Sequence, residues 1–273
     1  MCKSVLTLSV AAALAAPMLA AAQTPPASPV TGNMTIASDY RFRGISQTYL
    51  GPAIQGGIDY AHPSGLYLGN WNSNVSSTVF SGGSAIEMDF YGGWKKTFGD
   101  IGLDVGSIYY WYPNAEWNAN TGSTTGTAKF DNWEIYVGAS WKWISAKFSY
   151  ALSDYFGLGN EQAGSYWINK DDGSALGGQG DSSGTWYLDL TATIPVTKEL
   201  SVVAHYGKLD VKKYSNLEYN DWKLGVTYDL SGWVFGAAYV DTDAKGDWYY
   251  TAGSRGLKET GKSTIVLSVT KTF

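Results

Sequence analysis

The most concentrated charge pattern in the chain lies near its start, where Asp39, Arg41 and Arg43 occupy alternate positions. Alternate side chains of an extended strand share a face. Tyr40 and Phe42 fall on the other face, in step with Met34 and Ile36 upstream. Read as one strand, Met34 to Arg43 has an apolar face and a charged one. Charges this dense are not tolerated against hydrocarbon, so they belong on a side filled by water or protein. Two uses fit. The charges line a constriction that selects solutes by charge, or they form a salt-bridge network with Glu87, Asp89 or Glu134 that fills and stiffens an interior. The sequence leaves both open.

Other chemistry is sparse. The chain has 2 histidines. His62 sits in a tight turn, Ala61-His62-Pro63-Ser64, and His205 shares the polar parity of its segment. A lipid hydrolase built on a Ser-His-Asp triad needs its histidine on the lipid side, so lipid hydrolysis is the least favoured function and no enzyme is expected. The single cysteine, Cys2, and the lack of paired-ligand spacing leave no transition-metal site, and no cofactor is expected. Asp171-Asp172-Gly173 and the run from Gly177 to Asp181 look like calcium loops, but neither completes the oxygen spacing that calcium needs.

The elements that must position these groups are short and alternate strictly with period two, the signature of strands with two unlike faces. Gln55 and Asp59 oppose Ile54, Ile58 and Tyr60. Glu87, Asp89 and Tyr91 oppose Ile86, Met88 and Phe90. Asp104 opposes Leu103 and Val105, and Glu134 opposes Trp133 and Ile135. Lys147 opposes Phe148, Asp189 opposes Leu190, and Lys223 opposes Trp222 and Leu224. Two segments are ambiguous. Leu66 to Asn74 reads either way, and Gly232 to Val240 is apolar on both faces. Lumen-parity acids (Asp39, Asp59, Glu87, Asp89, Asp104, Glu134, Asp189) outnumber the bases (Arg41, Arg43, Lys147, Lys223), which predicts a weak cation preference. Together with Gln55 and Tyr91 these are the candidate pore-lining residues.

The fold class that follows is all-β: a transmembrane antiparallel up-and-down β-barrel of about 12 strands. The connections alternate between short and long, as membrane barrels do, which places the short turns and both termini in the periplasm. Aromatics gather near both ends, Tyr60, Tyr67, Trp94, Trp141 and Trp233 at the short turns and Phe42, Trp111, Trp133, Phe156, Trp222 and Tyr239 at the long loops, as two interfacial belts would. The 33 Gly, 12 Trp and 20 Tyr suit such a barrel, and a formal net charge of -5 argues against a nucleic-acid partner. Eight strands are filled by side chains and sixteen leave an aqueous channel. About twelve predicts a narrow pore, and the loop from Gly157 to Gly184 is long enough to fold into it.

Residues 1–22 read as a signal peptide, with Lys3 in the charged region, Val5 to Leu19 apolar and Ala20-Ala21-Ala22 before the cut. Cys2 would leave with it, and export without disulfides points to a Gram-negative envelope. Residues 23–32 read as a periplasmic leader and 33–273 as the barrel.

The motif Ser38-Asp39-Tyr40-Arg41-Phe42-Arg43-Gly44-Ile45-Ser46-Gln47-Thr48, followed by Pro52-Ala53-Ile54-Gln55-Gly56-Gly57, resembles the TorF-type porins, a bacterial outer-membrane family of poorly defined function. Gly65 to Trp71, Glu87 to Gly93 and Tyr112-Pro113 fit the same pattern, so the likeness spans nearly the whole mature chain. It implies a porin-like barrel and transfers no solute. The terminal Phe273, closing an alternating strand, looks like the signal read by the barrel-assembly machinery. The partners expected are outer-membrane lipid, that machinery and small hydrophilic solutes, with monomer and oligomer both open. The function expected is passive diffusion and ion transport through a narrow, charge-lined pore. The alternative is a closed barrel acting structurally or through its external loops.

Overall fold

A computed structural model describes residues 28–80, 84–116, 129–160 and 167–273. The signal peptide, Cys2 and the expected cleavage point lie outside the described residues.

Among the described residues, sixteen strands follow in chain order: β1 (Val30–Ala37), β2 (Arg41–Phe42), β3 (Ile45–Ser46), β4 (Ala53–Ala61), β5 (Leu66–Asn74), β6 (Ile86–Phe98), β7 (Ile101–Trp111), β8 (Asn132–Trp141), β9 (Ile144–Ala151), β10 (Trp186–Pro195), β11 (Leu200–Asp210), β12 (Tyr219–Leu230), β13 (Trp233–Thr242), β14 (Tyr250–Gly253), β15 (Gly256–Glu259) and β16 (Thr264–Thr272). Twelve of them close one antiparallel ring in which each pairs with its neighbour in the chain and β16 returns to β1. β2–β3 and β14–β15 are separate hairpins outside the ring. Closure leaves no strand edge, which is how a sheet satisfies its backbone inside a bilayer.

The alternating sequence sets which way each strand faces. Ile54, Ile58, Leu68, Val137, Leu224, Ile265 and Leu267 project outward and exposed, while their neighbours Gln55, Glu134 and Val266 are buried within. A one-residue slip of any pair would put the inner carboxylates into lipid, so the register is pinned by the faces themselves. The ambiguous β5 is settled by its contacts: Tyr67 and Trp71 point in, Leu66 and Leu68 out. In β13, Ala238 and Val240 pack on Val266 as a small apolar patch of the inner wall.

Two expectations are corrected. The alternation from Met34 to Arg43 is not one strand: β1 ends at Ala37. There the Ser38 hydroxyl accepts the Leu267 amide at 2.9 Å, ending the pairing with β16, and the chain turns inward. The aromatic belts also lose members. Tyr67 is buried in the lumen, its hydroxyl on Asp104, and Phe42 and Phe156 pack on one another and on Tyr110 inside the long-loop mouth.

Candidate functional site

The inner wall receives a segment of its own chain. Residues 38–52, between β1 and β4, fold across the long-loop half of the barrel and touch inward side chains from most of the ring. Tyr40 donates to Glu87 of β6 at 3.0 Å and its ring meets Trp71 of β5. Phe42 packs edge-on against Tyr110 of β7. Arg43 forms a two-pronged ion pair with Glu134 of β8, at 2.7 and 2.9 Å, with its guanidinium 4.4 Å from the Tyr187 ring of β10. Such forked pairs fix geometry as well as charge.

A tight hairpin makes this crossing possible. β2 and β3 are joined by Arg43 and Gly44 alone, both left-handed, with φ of 48° and 79°. That is the mirror-image two-residue turn, which usually carries glycine or asparagine. Gly44 also has no room for a side chain, since a Cβ there would lie 2.8 Å from the Cβ of Asp221 and closer still to Thr242. Arg43 holds the strained position through its ion pair, and it also donates to the Tyr155 hydroxyl at 3.0 Å. Burial pushes the Tyr155 phenol up to about 12, so it meets Arg43 as a neutral hydroxyl.

The hairpin's other charges are paired at its base, with Arg41 Nη2 alone left buried and without a hydrogen bond among the described residues. Asp39 pairs with Arg41 at 2.5 Å and accepts from Ser46 and Thr48. Arg41 donates to three carbonyls, those of Gly44, Thr260 and Lys262. This ties the inward segment to the last long connection.

Below the hairpin lies a second polar cluster. His205 sits between Asp221, at 2.9 Å, and Asp189, at 3.5 Å, and Tyr187 donates to Asp221 at 2.8 Å. With Arg41, Arg43 and Lys223 these groups surround a space of about 30 Å³. On the β4–β6 side, Gln55 Oε1, Glu87 Oε2 and Asp89 Oδ1 are buried and without a hydrogen bond among the described residues.

The short-turn half of the lumen is built differently. Asp59 accepts from Tyr91 at 2.6 Å and Asp104 from Tyr67 at 2.7 Å, while Tyr67 and Tyr136 share a hydrogen bond. Lys95 and Lys147 lie over the Tyr67 and Tyr136 rings. These tyrosines lie flat along the wall because the neighbouring strand offers glycine beneath them. A Cβ on Gly106 would sit 2.5 Å from the Tyr136 hydroxyl, and one on Gly93 2.6 Å from that of Tyr67. The rings therefore cover the wall instead of crossing the lumen, and Asp59, Tyr91, Asp104, Lys147 and Lys223 stay partly exposed.

All the sequence-predicted residues thus face the interior, but in two groups. Asp39, Arg41, Arg43, Gln55, Glu87, Asp89, Glu134 and Asp189 lie in the packed half. Asp59, Tyr91 and Asp104 lie toward the other half, while Lys147, opposite Asp189 in the register, and Lys223, in the His205 cluster, sit where the two meet. The segment that folds inward is 38–52. Of the loop from Gly157 to Gly184, Leu158 and Leu176 pack into the mouth cluster, and residues 161–166 lie outside the described residues. The sequence reading missed Asp221 and Lys95, whose parity with Lys223 and Tyr91 could have found them. It also missed Tyr155, a loop residue that no periodicity marks. His62 is a turn residue bonded to Ser64. In the Asp171-Asp172-Gly173 turn, the Asp172 carboxylate accepts from both the hydroxyl and the amide of Ser174. Those bonds hold its carboxyl below the usual range.

Comparison with known proteins gives a family and a fold. A family model described as "Bacterial protein of unknown function (Gcw_chp)" matches residues 21–273. That description does not mention TorF-type porins, so that likeness rests on the motifs alone. No curated protein matches the chain. Among solved structures the chain is similar to one described as KdgM porin, with 8% identity and a TM-score of 0.50, covering 89% of this chain and 99% of that one. A NanC porin structure gives 10% identity and 0.46, over 88% and 97%. OmpT of Vibrio cholerae gives 11% and 0.42, over 89% and 97%. At these identities the likeness shows the fold alone.

Proposed function

We propose that this chain, which belongs to the bacterial Gcw_chp family, is an outer-membrane porin that performs no chemistry and passes small hydrophilic solutes through a narrow pore. One observation carries the reading: a polar, partly exposed half-lumen lies in series with a half that a hairpin of the same chain packs and charges. The first is a path for water and the second a constriction. The fold shared with the structure described as KdgM porin supports the same reading.

The constriction favours cations weakly. The ion pairs Asp39–Arg41 and Arg43–Glu134 cancel locally. Asp189 and Asp221 remain around His205, with Lys223 in the same cluster, and Glu87 and Asp89 lie apart from it on β6. Near the short turns, Asp59 and Asp104 are matched by Lys95 and Lys147. Selection therefore arises where the lumen is narrowest, which is where charge matters most. The short turns and both termini face the periplasm in this reading, the apolar outer wall faces lipid, and Phe273, exposed at the end of β16, is presented to the assembly machinery.

Single-channel recording in planar bilayers tests this. A small conductance, with reversal potentials on the cation side in a salt gradient, is expected. Anion selectivity would overturn the charge assignment. A second reading, a closed barrel acting through its external loops, is favoured by the burial of Glu87 and Glu134, 0% and 1% exposed. Silence both in the native protein and in a variant whose hairpin has been loosened would select it.

A further inference from the structure

Above the inward hairpin, at the long-loop end, lies a cavity of about 290 Å³ that diffusion of hydrophilic solutes does not explain. Phe42 and Ile45 of the hairpin form its floor. Its walls come from several connections, with Phe80, Tyr112, Leu217 and Trp248 prominent among them. Among the described residues its lining includes no Asp, Glu, Lys, Arg or His, although the lumen just below is crowded with charge. Its polar groups are the tips of tyrosines, tryptophans and threonines and Gln47, set among aromatic and aliphatic carbon, and several are bonded within the wall. Tyr249 donates its hydroxyl to the Leu217 carbonyl at 2.6 Å, Gln47 donates to the Ile45 carbonyl, and the Thr260 hydroxyl bonds the Tyr249 carbonyl.

These features select a ligand class. A charged solute entering such a space would lose its hydration with nothing in return. A sugar would bring a hydroxyl on almost every carbon and find few partners for them. A flat apolar ring loses little and gains contact with aromatic faces and edges on all sides. An apolar cavity of about 150 Å³ accommodates benzene, so this one suits roughly two fused rings. We infer that the long-loop mouth is a binding site for an uncharged, two-ring aromatic molecule, seated on Phe42 and Ile45 and distinct from the charge-lined path beneath. The inference does not depend on the porin reading, because the site exists whether or not the lumen conducts.

The test uses the full barrel in lipid nanodiscs, with empty nanodiscs as the partition control, and three probes: 2-naphthol, 2-naphthoate and maltose. Equilibrium dialysis is expected to show saturable one-site binding of 2-naphthol beyond the lipid control. Binding of 2-naphthoate should be at least about tenfold weaker, and that of maltose undetectable. Ala252 lines the rim and is exposed, so Ala252→Trp should close the site without overpacking the core and lower naphthol binding by a similar factor. Should that variant fail to fold, nuclear Overhauser contacts from naphthol protons to the Leu217 and Val211 methyl groups in the native protein place the ligand directly. Naphthoate binding as tightly as naphthol, maltose binding in its place, no saturable component above the nanodisc control, or contacts absent from both methyl groups would each overturn the inference.

Discussion

The two halves of the lumen are lined by the same strands with the same inward parity, yet they handle buried charge in opposite ways. Toward the long loops, the inward carboxylates reach across open space and are met by a foreign element, the hairpin of residues 38–52, whose Arg43 bridges to Glu134. Toward the short turns, each carboxylate is met by a tyrosine from a nearby strand lying along the wall, Tyr91 on Asp59 and Tyr67 on Asp104. The first solution fills the barrel and the second leaves its centre clear. A barrel of this size therefore does not dictate whether it is plugged. What decides is whether polar partners come from the wall or from a returning segment.

The sharpest way to break the contrast is to remove the element that fills the packed half. Arg43→Ala leaves Glu134 buried and unpaired, a change that costs about 3–5 kcal/mol in comparable settings. The ring of barrel strands does not include the hairpin, so the loss falls on the hairpin's docking. Single-channel conductance should rise several-fold while the circular-dichroism spectrum stays that of the native β-barrel. Adding Glu134→Gln should recover part of the docking, because a neutral side chain tolerates the loss of its partner better. Unchanged conductance in Arg43→Ala would mean that the hairpin does not limit the path.

Gly44→Val attacks the same half sterically. The left-handed backbone costs about 1–3 kcal/mol for a non-glycine residue, and the new side chain meets Asp221 and Thr242. Conductance should rise, but less than for Arg43→Ala, because the ion pair still pulls the hairpin inward. In the clear half, Gly106→Leu should act with the opposite sign. It removes the seat of the Tyr136 ring and pushes it toward the axis, with a stability loss of about 1–3 kcal/mol and a fall in conductance. Equal signs for Gly44→Val and Gly106→Leu would erase the distinction between the halves.

The barrel was legible because its rule is local: side chains alternate between lipid and interior, and period two shows in any window of several residues. The hairpin was legible only in part. Asp39, Arg41 and Arg43 do point to the interior, but the strand they were assigned to stops at Ala37. The alternation continued past that end because Arg41 and Phe42 are themselves extended, as β2. Glu134 was one of three carboxylates the sequence offered to the charged run, but nothing near Arg43 singles it out from Glu87 and Asp89, because it lies on β8 far along the chain. Tyr67 was misassigned to a belt because an aromatic beside a short turn can serve either face, and β5 carries apolar residues on both. The mouth cavity was beyond reach of any periodicity, being assembled from several connections whose contacts are all long-range.

The smallest expected effect separates wall charge from constriction charge. Lys95 lies in the clear half, with its ammonium over the Tyr67 ring at 5.3 Å and Asp104 opposite it in the register. Lys95→Glu reverses one charge on a wall that water reaches, where mobile ions screen it over about 10 Å at 0.1 M salt. The reversal potential should move slightly further to the cation side at low salt and return to the native value near 1 M. Asp189→Asn lies in the packed half, where screening is weaker, so it should move selectivity toward anions and keep that shift at high salt. If the Lys95 shift proved the larger of the two, or survived at 1 M, selection would reside in the clear half and the hairpin would have to be read as a structural strut.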